Sequence, residues 1–116
     1  MPCNEDITRL RHMLESALDA VSFVQNRNRS SLDTNKMLQL AIVRCIEIIG
    51  EAASKISKEC CDAHPQIPWK NIVNMRNRLI HAYFDINLDT VWSAATKDLP
   101  PLISELQKIL GPDGRE

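Results

Sequence analysis

What the chain has little of narrows it first. Only 4% of its 116 residues are aromatic and three are glycine, which points away from sheets, whose strands favour aromatic and β-branched residues. No run approaches the roughly 18 apolar residues of a membrane span. The opening Met1-Pro2-Cys3-Asn4-Glu5-Asp6 lacks the basic-then-apolar layout of a secretory leader. A soluble, cytoplasmic protein without a membrane partner is expected. Charge of one sign is also missing: 14 Lys and Arg face 15 Asp and Glu, for a net charge of -1. Affinity for nucleic acid would therefore have to come from a local patch. The four cysteines, Cys3, Cys45, Cys60 and Cys61, contain no Cys-x-x-Cys pair. Cys60-Cys61 with His64 falls short of the four ligands of a tetrahedral site, so reduced thiols are expected, with neither metal nor cofactor. Internal repeats, low-complexity segments and a Gly-rich phosphate loop are absent as well.

What is present reads as one domain, residues 1–116, with an ordered core over about 4–110. A hydrophobic fraction of 44% suits a chain long enough to build a core without staples. Helix one is predicted from Asn4, read as its cap, with Ile7, Leu10, Leu14, Ala17, Leu18, Val21 and Val24 on one stripe. The polar run from Gln25 to Ser31 is a loop. Helix two is predicted from Asp33 or Thr34 to Cys60 and carries two apolar faces. Met37, Ala41, Ile48, Ala52 and Ile56 line one; Leu38, Ile42, Ile46, Ile49 and Ala53 line the other. A bundle helix needs one stripe, so the second suggests a further partner, such as another copy of the chain. Gly50 costs this helix about 1 kcal/mol relative to alanine and reads as a point of close helix packing, placed where an interface would benefit.

Pro65 and Pro68 punctuate the next loop, with Pro68 at the first turn of helix three, predicted from Trp69 to about Tyr83. Asn87 or Asp89 caps helix four, which runs toward Leu110 and is kinked or split at Pro100-Pro101. Gly111-Pro112 ends it. The fold class is all-α, an antiparallel four-helix bundle.

The chemistry concentrates in Met75-Arg76-Asn77-Arg78-Leu79-Ile80-His81-Ala82-Tyr83. Arginine grips phosphate through a rigid fork of donors, and histidine moves protons near neutral pH. Asn77 and His81 fall one turn apart on one helix face, with Arg76 alongside and Tyr83 near the helix end. Cleaving RNA without metal needs a group to take the 2′-hydroxyl proton, another to protonate the leaving oxygen, and a cation at the phosphorane. Arg76 and His81 are the catalytic candidates and Asn77 a supporting one. One motif histidine cannot be both acid and base, but a twofold dimer would bring two into one cleft. The remaining basic clusters, Arg9, Arg11 and His12, then Arg27 and Arg29, read as solvated helix faces. His12 and His64 read as surface residues. From spacing alone, an arginine and histidine paired with neighbouring carboxylates remains the commoner reading.

With their surroundings, these residues resemble a known family. Arg76 to Tyr83 is similar to the Arg-x4-His-x-Tyr motif of HepT-like toxins, in the HEPN superfamily of ribonucleases. Ala41 to Ala53 resembles the family's helix-two signature, and Ile67-Pro68-Trp69, Tyr83-Phe84 and the Val91-Trp92 to Leu99-Pro100 segment follow in the family's order. The resemblance implies a homodimeric, metal-independent endoribonuclease, the toxin of a toxin–antitoxin pair, acting on RNA as substrate. Its antitoxin would be a minimal nucleotidyltransferase that adenylylates Tyr83. By the same resemblance Arg44, Glu47 and Glu51 frame the dimer cleft. Two alternatives stay open: a non-catalytic subunit that holds substrate or nucleotide for such a nucleotidyltransferase, and a helical interaction module.

Overall fold

The computed structural model describes residues 3–81 and 86–111, with the side chains of residues 80 and 81 outside the described part. It is an all-α bundle, as the composition and periodicity predict. The helices are α1 (Asn4–Phe23), α2 (Lys36–Ser54), α3 (Lys58–Ala63), α4 (Trp69–His81), α5 (Leu88–Ser93) and α6 (Leu99–Leu110). Helix α2 packs between α1 and α4, and α6 packs along α1. Leu10 and Met13 of α1, Ile49 of α2, Ile67 and Leu106 are all but sealed from solvent at the centre. No helix among the described residues is long and apolar enough to cross a membrane.

Two local features depart from the sequence-based expectations. Helix α1 starts one residue earlier than predicted: Cys3, in extended backbone, is the cap position, and its carbonyl accepts from the Ile7 amide at 2.9 Å. Asn4 already lies inside the first turn and cannot cap. The long helix two is two helices, because the chain turns at Lys55–Ser57. Ser57 caps α3, its hydroxyl accepting from the Cys60 amide at 3.1 Å. The same residue holds Asp6 of α1: its hydroxyl donates to Oδ2 at 2.6 Å and its amide to Oδ1 at 2.9 Å. Burial alone would push the Asp6 carboxyl up, but these donors prevail and hold it below the ordinary carboxylate value. A buried carboxylate must be satisfied, and the break in helix two is what supplies its donors. Of the predicted face that runs from Met37 to Ile56, Met37 is 82% exposed, whereas Ala52 and, past the end of α2, Ile56 are buried.

Pro100 and Pro101 split the last helix as expected, by a specific route. Residues Ala94–Asp98 form a wider, π-type turn, and α6 restarts at Leu99. Both prolines then occupy the first turn of α6, where their missing N–H groups have no carbonyl to serve. Asn87 caps α5, accepting from the Thr90 amide at 3.1 Å. Gly111, at φ 107°, ends α6 and donates its amide to the Gln107 carbonyl at 2.7 Å. Arg29 serves the fold. It donates to Asp33 at 2.9 Å and to Asp89 at 2.6 Å, tying the turn before α2 to α5.

Gly50 is the crossing point of α2 and α4, the close helix packing that its place in the predicted helix two suggested. A Cβ placed on Gly50 would overlap Cβ of Arg76 and lie 2.7 Å from its Cγ. Only a residue without a side chain lets α2 and α4 approach so closely. Gly50→Ala gains about 1 kcal/mol of helix propensity but must force the two helices apart, at a cost of about 1–3 kcal/mol from overpacking. We expect a net loss of stability in urea unfolding; an unchanged or raised midpoint would contradict this crossing.

Candidate active site

The crossing at Gly50 decides where the Arg76 side chain goes. Its stem runs over Gly50, and its guanidinium reaches the next residue of α2: Nη2 donates to Glu51 Oε1 in a tight ion pair. Nη1 donates to the side-chain oxygen of Asn77 at 2.9 Å. Arg76 is therefore half-buried and clamped from two sides, by a carboxylate and an amide. Asn77, the supporting candidate, acts on the arginine. Lys55, the residue that caps the C-terminus of α2, donates to Glu51 Oε2 at 3.0 Å. Hydrogen-bonded Lys55 above all, then the charge of Arg76, holds the Glu51 carboxyl below its ordinary value.

Arg76, Glu51 and Lys55, but not Asn77, line a cleft of about 410 Å³ between α1, α2 and α4. Helix α2 contributes Arg44, Glu47 and Glu51, its C-cap residue Lys55 follows, and α4 contributes Arg76. Arg44 lies 3.5 Å from Glu47 in an exposed pair, which adds little stability. Arg44, Glu47 and Glu51, expected from the resemblance to frame a dimer cleft, line this cleft within one chain together with Arg76, and Glu51 grips the catalytic candidate. Across from them α1 presents Arg9 and His12, three residues apart and so on one helix face. Sequence reasoning assigned these two to a solvated surface. His12 is exposed, but it has cleft neighbours after all, and the signal that could have found the pair is their shared face beside the buried Leu10 and Met13. Four permanent cations against two carboxylates leave this cleft with two positive charges in excess, on a chain whose net charge is -1. That is the local patch that an anionic substrate requires.

A second, larger groove of about 910 Å³ opens between α4 and α6, with Ile67, Met75, Leu99 and Leu102 on its walls and Asn77 and Arg78 at its edge. Arg76 does not line it. His81 closes α4, one helical turn beyond Asn77; its side chain, and Tyr83 altogether, lie outside the described residues. Among the described residues, no group of three or more His, Cys, Asp or Glu is placed to hold a metal ion. Burial pushes the Cys60 thiol up to about 11, which makes it a poor ligand and nucleophile near neutral pH.

An all-α bundle that clamps an arginine on the wall of a cationic cleft defines the class, and the comparisons give the family. The chain belongs to the HepT-like ribonuclease family, described as "Ribonuclease HepT-like", whose model matches residues 13–109. It is 37% identical over 110 residues to "Putative RNase MJ1216" of Methanocaldococcus jannaschii, covering 95% of this chain and 91% of that protein. To "Putative RNase TTE0752" of Caldanaerobacter subterraneus subsp. tengcongensis it is 35% identical, covering 87% and 90%. To "Probable ribonuclease HepT" of Thermococcus cleftensis it is 33% identical, covering 83% and 91%. No solved structure matches the chain.

The clamp has a pH signature. Because the folded Glu51 carboxyl sits below its ordinary value of 4.5, the stability it contributes is full above that value and is lost as pH falls through the lowered one. Glu51→Gln should therefore melt below the wild type at pH 7, with the gap closing as pH drops below 4.5. A gap that stays constant into acid would show that Glu51 carries no such charge interaction.

Proposed function

We propose that this protein is the toxin of a toxin–antitoxin pair, a metal-independent endoribonuclease that works as a homodimer in the cytoplasm. A minimal nucleotidyltransferase antitoxin silences it by adenylylating Tyr83. The observation that carries this reading is the clamped Arg76 on a cationic cleft, in a chain that belongs to a ribonuclease family.

The chemistry runs from those residues. The 2′-oxygen of RNA bonds to the adjacent phosphorus as its proton passes to a base. The 5′-oxygen leaves with a proton from an acid, and the products end in a 2′,3′-cyclic phosphate. Arg76 supplies positive charge to the phosphorane, and the hold of Glu51 and Asn77 means it need not reorganise when that charge develops. His81, on the face of α4 shared with Asn77, is the proton-transfer group. The second histidine comes from the partner protomer. Support for pairing is the uncovered stretch of α2, where Met37 is 82% and Leu40 51% exposed, on the helix that carries Arg44 and Glu47. An adenylate on Tyr83, two residues past His81 in the motif, would add bulk and negative charge that repel the RNA backbone.

Purified, unmodified protein should cleave RNA to fragments with cyclic phosphate ends. His81→Ala should lower the rate about 10²–10⁴-fold and Arg76→Ala about 10²–10³-fold, both without loss of helicity. A folded wild type that leaves every RNA intact would end the enzyme reading in favour of a nucleotide-holding subunit. Co-expression with the nucleotidyltransferase should raise the intact mass by one or more adenylates, and Tyr83→Phe should show no gain. A gain that persists in Tyr83→Phe would move the modification elsewhere.

A further inference from the structure

Arg76 faces a wall of cations that the reaction above leaves unused. On that wall Arg9 and His12 project from α1 into the same cleft. The carboxylates nearby are already engaged: Glu51 by Lys55 and Arg76, Glu47 by Arg44. Asp6, one turn before Arg9, has both oxygens on Ser57. Among the described residues no ion pair involves Arg9. Its place on the cleft wall leaves its charge to the space that Arg76 also borders. Arg9, which none of these ion pairs engages, shares with Arg76, held by Glu51 and Asn77, a cleft that carries two positive charges in excess, and this suits an anion with several acceptor oxygens. Phosphate fits, because the planar fork of arginine matches its oxygens.

We propose that Arg9, with His12 beside it, forms a second phosphate subsite that holds the RNA phosphate next to the scissile one. It rests on the ribonuclease reading: Arg76 takes the phosphate being cleaved, and α1 takes its neighbour on the same strand. Such contacts set register without reading sequence. The subsite thus selects for length, favouring substrates with more than one phosphodiester.

The test compares cleavage of a single-stranded dinucleotide and trinucleotide, each with one scissile linkage of the same sequence. The wild type should prefer the trinucleotide about tenfold in kcat/KM, the size of one charge-assisted hydrogen bond. In Arg9→Ala that preference should largely vanish. Binding of a longer oligonucleotide, measured in the His81→Ala background, should lose about 0.7 from its salt slope when Arg9 is removed. Arg9→Gln, which keeps most of the stem, serves if Arg9→Ala melts early. Cleavage by Arg9 variants with the full trinucleotide preference and an unchanged salt slope would overturn the subsite alone. A wild type that neither binds nor cleaves either RNA would overturn the ribonuclease reading with it.

Discussion

The site depends on the close approach of two helices at a residue with no side chain. Gly50 lets α4 settle against α2 so that the stem of Arg76 lies across the gap. Once the stem is fixed there, its guanidinium has one short route, onto Glu51, the residue after the glycine. A long, flexible arginine loses substantial side-chain entropy when it is held. Here the packing of the fold absorbs that loss before substrate arrives. Core and chemistry are thus joined at one crossing, and a change that spreads α2 from α4 would disturb both.

The electrostatics follow from the same geometry. Glu47 pairs with Arg44 and Glu51 with Lys55 and Arg76, so the two carboxylates offset only two of the four cations on the cleft. What remains is a local excess of positive charge on a molecule that is slightly acidic as a whole. Such a surface attracts an anionic chain only at the cleft, because the rest of the protein gives no long-range pull. Helix α1 takes part because its core face, Leu10 and Met13, docks on the bundle and turns the adjoining Arg9 and His12 toward α2.

Much of this was legible in the residues. Helical spacing located the main helices, and Pro100-Pro101 and Gly111 marked a split and a stop that the structure contains. The motif around Arg76 and the carboxylate at Glu51 stood out before any coordinates. The break at Lys55–Ser57 did not, because Ser57 looks like an ordinary polar residue until Asp6, 51 positions earlier, needs its donors. The role of Asn77 was open for a similar reason: helical geometry gave its face, but only packing showed that Arg76 turns to meet it. Gly50 was read as a site of close helix packing, and the structure shows that the helix coming near is α4. A glycine in a helix tells that something comes near, not what.

Sequence by itself determined the things that depend on neighbours along the chain: helix class, the apolar stripes, the caps at Asn87 and Gly111, and a motif bearing arginine, amide and histidine within two turns. These are short-range matters, fixed by the 3.6-residue repeat and by the chemistry of single side chains. Only the tertiary structure decided that Arg76 is gripped by Glu51, that Arg9 and His12 share its cleft, and that Asp6 is held by Ser57 at the break between α2 and α3. Those outcomes depend on which faces pack, and packing is settled by shape and burial across the whole bundle rather than by any local run of residues.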